Sequence, residues 1–506
     1  MAYNFIQIVS VFIGLFIVFV ILGFYGSRWR KGDLNQIHDW ALAGRRLGTW
    51  LAFFLVGADL YTAYTFVAVP SGVFAKGSLY FFAVPYVCIT FAVALAFTPR
   101  LWKLSKERNY VTASDFVKDW FHSRTLGILI AIVGIVALLP YIALQIVGME
   151  AVLTAMFRAA GYSSHLTEEA ALLIAFIILA SFTYTSGLRG ATLTAVFKDI
   201  IVWATIVMVI VAVVSSIGGN FFEAFRAASA ASSKVNYITL NQKLVPGYMT
   251  LVIGSALALY LYPHAINGVL SAENERKLRL STSLLPLYGV GLAFLALFGV
   301  LIYAVPKALS FAGGQGILVV PSLILNTLPG WLAGFGLLGV FIGGLVPAAI
   351  MAIAQGNLLT RNIVKEFKPN LTPKGETDIA KWSSAAFKFL ALGFVFTINT
   401  TYAISLQLFG GVLIIQLLPA VFVGLYTTWF KKEALIIGLL AGVFSGLYMA
   451  SSTIFAPGNS SLFSTPFGLL YIAVIALGVN FLFTIVLSFV FPKRPVKQEK
   501  LAQPTA

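Results

Sequence analysis

Long apolar runs separated by short polar stretches organise this chain. Runs able to cross a roughly 30 Å hydrocarbon layer fall at about 5–25, 49–73, 78–99, 126–157, 169–186, 199–218, 247–268, 283–306, 331–356, 385–403, 405–428, 433–454 and 468–491. Because few charges interrupt them, they predict thirteen transmembrane helices and an all-α integral membrane protein. The stretch 357–384, with Pro369 and Pro373, reads as a solvated connector, and 221–244 as holding a short amphipathic helix. No composition shift marks a second folded domain. Residues 1–491 therefore read as one transmembrane domain and 492–506 as a disordered polar tail.

Composition agrees: 59% of the 506 residues are hydrophobic and only 10% charged, more apolar surface than a water-soluble chain can hide. The net charge of +16 invites a nucleic-acid reading until its distribution is followed. With the N-terminus outside, 28 of the 34 basic residues, Lys198 and Lys388 among them, fall in the inner segments and six in the outer ones. That split follows the positive-inside rule and predicts N-out/C-in. The basic balance thus belongs to topology, with the lipid bilayer as partner and no nucleic acid. The run 5–25 lacks a basic leader and reads as a retained span. Cys88 is the only cysteine and the four histidines fall in four different segments, which does not make a metal site. The location expected is the plasma or inner membrane, crossed many times.

Several spans carry breaking residues where a simple anchor needs none. The second holds Gly57, Asp59, Thr62 and Thr65 before Pro70-Ser71-Gly72; the fourth has Pro140, the seventh Pro263, and the ninth a Gly pair with Pro347. Broken helices inside a membrane are tolerated where they line a cavity, and transporters built from inverted repeats use them as binding sites. Spans 2–6 and 7–11 form two sets of five with opposite orientation, each beginning on such a segment. No HExxH, GxSxG or Walker A sequence is present, which argues against an enzyme.

Asp59 is the acid placed in the middle of a span. A charge there costs roughly 2.5–3.5 kcal/mol unless paired or hydrated, and burial penalises the charged form. It reads as a proton-coupling carboxylate or a cation ligand, against the alternative of a hydrogen-bonded structural acid.

Four stretches resemble the sodium:solute symporter family, and within it the monocarboxylate permease branch: LAGRRLGTW leading into GADLYTAYTFVAVPSGVF, SGLRGATLTAVFKD, YPHAINGVLSAENERKLR and IQLLPAVFVGLYTTWFKKEALIIGLLAG. The resemblance implies a LeuT-type 5+5 inverted repeat, with core repeats at about 49–218 and 247–428, one leading helix and two trailing ones. It also implies a substrate held between spans 2, 4, 7 and 11, driven by a cation gradient.

The family's sodium site falls, by the same resemblance, on backbone carbonyls at Ala58 and Tyr61, a contributor at Gly343, and hydroxyls at positions that here hold Val346 and Pro347. Two of its oxygen donors are therefore missing, and hard cations need several. Thr62, Thr65, Tyr141, Gln145, His264, Asn267 and Gln416 are the candidate substrate contacts, polar groups among apolar walls. No Arg or Lys is read as lying mid-span to neutralise an anion, and Arg189 is read as a loop anchor. The function expected is a symporter, without cofactor, importing a small organic anion such as lactate or pyruvate, with H+ favoured over Na+ as coupling ion. The alternatives are sodium-coupled uptake of an amino acid such as proline or alanine, a sugar or urea, and a membrane sensor or channel on the transporter fold.

Overall fold

The structure is a computed structural model and describes residues 4–29, 32–162, 165–231, 235–396, 403–456 and 460–491. The expected tail at 492–506, the basic residues Arg30, Lys31 and Lys234, and residues 397–402 of the expected tenth span lie outside them.

The architecture is helical: α1 (Phe5–Tyr25), α2 (Thr49–Leu60), α3 (Val69–Lys76), α4 (Ala83–Glu107), α5 (Ala113–Trp120), α6 (Arg124–Ala159), α7 (His165–Ser216), α8 (Val245–Ala258), α9 (Pro263–Leu270), α10 (Pro286–Leu301), α11 (Gly330–Leu359), α12 (Pro373–Val395), α13 (Ala403–Ile414), α14 (Lys432–Thr453) and α15 (Ile472–Val490). One antiparallel hairpin, β1 (Leu462–Thr465) with β2 (Gly468–Tyr471), precedes α15 and pairs Leu462 with Tyr471. The last span thus begins at Ile472 rather than 468. The expected surface helix is present at Phe221–Ala231.

Among the described residues ten helices are by themselves long and apolar enough to cross a membrane, where the sequence predicts thirteen spans. Three differences account for this. The second expected span is cut into short pieces. The fifth and sixth run together as α7, bent only where Gly187 takes φ 57°; a side chain there would strike the Trp40 carbonyl, so glycine is required. The tenth starts early, at Pro373, inside the stretch read as a solvated connector. Its first turns are polar, yet Glu376, Lys381, Ser384 and Lys388 are buried against neighbours.

Helix α11 is the hub. Its most apolar stretch is wholly buried, packed against α1, α6, α7 and α12, with α2 lying on α7 and α9 on both α11 and α2. Gly344 lets α11 approach the Gln145 carbonyl of α6. That tight packing keeps α6 and α11 helical straight through Pro140 and Pro347, although both prolines read as breaks.

Two breaks remain, and local chemistry explains each. At the first, α2 ends on Tyr61 (φ −88°, ψ 81°) and a π-helical turn, Tyr64–Ala68, leads into α3. The freed amides are satisfied: Thr62 Oγ1 accepts from Tyr64 N–H (3.1 Å) and Gln145 Oε1 from Ala63 N–H (2.9 Å). Pro70 sits in the first turn of α3, where a missing N–H costs little. At the second, the 3₁₀ turn Leu259–Leu261 ends on Tyr262, held extended (ψ 136°) by the proline after it.

Candidate functional site

The first break is a charged centre. Lys198, on α7, is fully buried and donates to the carbonyl oxygens of Ala58 (3.0 Å) and Tyr61 (2.7 Å). Its Nζ also lies 3.0 Å from Asp199 Oδ1. An ammonium has three donors, and three oxygens surround this one. The other Asp199 oxygen accepts from Tyr288 Oη at 2.6 Å, and Tyr61 Oη donates to the Tyr288 carbonyl at 3.0 Å. Tyr61, Tyr288 and Trp203 pack edge-on and tilted around the pair, ring centroids 4.6 to 5.9 Å apart. Gly57 makes room for this cluster: a methyl there would collide with the Tyr288 ring.

This corrects the sequence reading on three points. Lys198 is not in an inner loop, since it and Asp199 sit well inside α7 with no exposed surface. Asp59 is not the only buried acid of the spans. A lysine does lie beside the break, and Lys388 on α12, also read as an inner-segment residue, is buried too, donating to Thr183 Oγ1 at 2.6 Å. Arg189, read as a loop anchor, lies inside α7 just past the Gly187 bend, buried and ion-paired with Asp39.

Asp59 is buried on α2, and neither of its oxygens has a hydrogen-bond partner among the described residues. It stands within electrostatic reach of Lys198, Tyr141 and Tyr260. Since Lys198 already has its three oxygens, Asp59 is left with a charge-capable group and nothing to hold.

Of the other expected residues, Thr62 and Thr65 hold the break itself: Thr65 Oγ1 donates to the Leu60 carbonyl, and Tyr141 hydrogen-bonds Thr62. Gln145 is spent on the Ala63 amide and, through Nε2, on the Tyr141 carbonyl (3.1 Å). His264 opens α9 at the second break, its ring 5.6 Å from Tyr141 and 5.5 Å from Tyr262. Both its ring nitrogens, like the Tyr260 hydroxyl, are buried without partners among the described residues. Asp59, Tyr260 and His264 thus bring unspent polar atoms of the two breaks together, with Tyr141 beside them. Gly343 faces Phe66, and Val346 and Pro347 are buried and offer no hydroxyl. Asn267, further along α9, has a free Nδ2 but lines a small cleft with Thr112, Ser114 and Leu358. Gln416 is elsewhere, bonded to Asn480 of α15 (2.9 Å to its carbonyl).

Lys198, Asp199, Tyr288 and Tyr260 are the residues that sequence reasoning missed. A signal existed for the first two. Between Ala191 and Val214 they are the only charges in an apolar run, and adjacent opposite charges in such a run point to a buried pair more than to a loop.

Away from both breaks, Glu376 pairs with Arg361 (3.1 Å) and with Lys365, Arg361 also reaches Asp115 (3.4 Å), and Glu366 pairs with Lys118 and Arg124. Burial works to raise the Glu376 pKa, but the two cations hold it below the usual carboxylate value. The network ties α5 and α6 to the end of α11 and the start of α12.

A broken-helix bundle with buried ionic groups at its centre is the build of a solute carrier. Residues 40–442 match the model of the sodium:solute symporter family, and the chain belongs to that family. It is similar to the monocarboxylate transport permease protein of Rhizobium johnstonii, 39% identical over 96% of this chain and 98% of that one. It is also similar to the uncharacterized symporter YodF of Bacillus subtilis, at 33% over 83% of each chain. Among solved structures, a Na+-coupled sialic acid symporter in a substrate-bound outward-open state superposes with a TM-score of 0.73, covering 96% of this chain and 98% of that one at 15% identity; that likeness speaks to fold alone. The protein is a multi-pass transporter of the cell membrane, not an enzyme.

Proposed function

We propose that the protein is a symporter that imports a small monocarboxylate such as lactate or pyruvate together with a proton. The name of the Rhizobium relative supports the substrate class. The observation that carries the ion is Asp59: a carboxyl buried at the first break with both oxygens unpartnered among the described residues. An acid so placed is stable neutral and costly charged, which suits a group that takes up a proton from one side and releases it to the other. Val346 and Pro347, where sodium would need hydroxyls, support a proton further.

The reading extends to the frame: thirteen spans, N-out/C-in, with two inverted repeats of five at about 49–218 and 247–428, each opening on one of the two breaks, within a single domain at 1–491. The substrate sits between them, its carboxylate near Tyr141, Tyr260 and His264. Sodium-coupled uptake of an amino acid, sugar or urea is the rival. Uptake of labelled lactate and pyruvate into proteoliposomes, under a proton gradient and a sodium gradient applied separately, tests both. Accumulation is expected with the proton gradient alone; accumulation with sodium alone overturns the reading.

A further inference from the structure

The three oxygens around Lys198 Nζ define a cation site that the chain fills with its own side chain. The carbonyls of Ala58 and Tyr61 and Asp199 Oδ1 all lie within 3.0 Å of the one nitrogen. Two of them belong to the frayed end of α2, so their lone pairs face the break instead of a helical N–H. They are also the positions to which the family resemblance assigns sodium. A second cation cannot share the place, because two unit positive charges some 3 Å apart repel strongly in a buried site.

We infer that Lys198 is a tethered cation that holds the first break in its binding geometry, and that this makes the carrier independent of sodium. The inference is one of ion selectivity and rests on the proposed transport reading only for its uptake measurement.

Several features make the assignment specific. Nζ donates to two carbonyls and is charge-paired with Asp199 Oδ1, so the lysine is not a free counter-ion waiting for an anionic substrate. Asp199 is fixed from its other side by Tyr288, whose ring needs Gly57 bare. The oxygens therefore stay in place when the lysine is cut back. In Lys198→Ala, two carbonyls and one carboxylate would surround a vacancy, a hard-oxygen set with a negative charge left unpaired. Such a site recruits a small monovalent cation.

The test uses the purified full chain in two measurements. Thermal unfolding in detergent reads ion binding without any substrate: 100 mM NaCl against equal choline chloride is expected to leave the wild-type Tm unchanged. In Lys198→Ala, whose Tm in choline falls below that of wild type, sodium is expected to raise it by about 3 °C or more. Lys198→Arg, which keeps a tethered cation, is expected to show no sodium response. In proteoliposomes, wild-type uptake of labelled lactate is expected to be the same in sodium and choline media, whereas uptake by Lys198→Ala is expected to depend on sodium. A sodium-specific rise in the wild-type Tm overturns the inference even if the variant fails to fold, and so does a folded Lys198→Ala indifferent to sodium. Absence of lactate uptake by a wild type that still shows no sodium response in Tm strikes the proposed substrate and leaves the tethered cation standing.

Discussion

The two helix breaks, which open the two halves of the core on the proposed reading, are built from opposite materials. The first, at Tyr61, gathers Asp59, Lys198 and Asp199, three ionisable groups within the thickness of one helix contact. The second, at Tyr262, gathers rings and no charged side chain of its own: Tyr260, Tyr262 and His264, with Tyr141 facing them from α6. Both interrupt a helix and free backbone groups. The first spends its freed carbonyls on a cation, and the second leaves neutral donors unspent. On the proposed reading the labour is divided: the first break sets what drives the carrier, and the second sets what it carries.

Three substitutions probe that division. Asp59→Asn should have the largest effect, abolishing accumulation above equilibrium and cutting proton-driven uptake by about tenfold or more, the scale of one lost buried ionic interaction. Exchange of labelled for unlabelled substrate should survive it. Full pH-dependent accumulation by this variant, measured in the same proteoliposomes, would end the proton assignment. His264→Ala should act differently, raising KM by roughly 5–10-fold through one lost hydrogen bond while the dependence on the proton gradient stays intact. If it altered the gradient dependence instead, the two breaks would not be separable. Glu376→Gln, outside both breaks, should act least. Glu376 has a depressed pKa in the folded protein, so its stabilisation is present above the ordinary carboxylate value and is lost as pH falls through the folded value. The Tm difference between wild type and variant, about 1–3 °C at pH 7, should close only as pH falls below the ordinary carboxylate value and through the lower folded one, with KM unmoved throughout.

How much of this was legible in the sequence depends on the range of the interaction. Both breaks were readable, because Gly57-to-Gly72 and Tyr262-Pro263 act through local backbone rules. Pro140 and Pro347 obey the same rules yet do not break their helices, since α6 and α11 are pinned by close packing that no local pattern reveals. Lys198 shows the limit most plainly. Hydropathy treats a Lys-Asp pair as an interruption and assigns it to water, whereas the fold buries it by supplying carbonyls from a helix some 140 residues earlier. Lys388 and the first turns of α12 were misread in the same way. Gln416 failed in the opposite direction: a buried amide was expected at the substrate, but a neighbouring asparagine on α15 uses it as a fastener between helices.

The lysine on α7 also has an electrical consequence. A carrier that brings in more cations than substrate anions per turnover moves net positive charge inward and so draws on the voltage across the membrane. On the proposed reading this carrier's cation never leaves the chain, and what crosses is one anion with one proton, a neutral sum. Import would then respond to acidity outside and ignore the membrane potential, and a cell feeding through it would not depolarise itself by doing so.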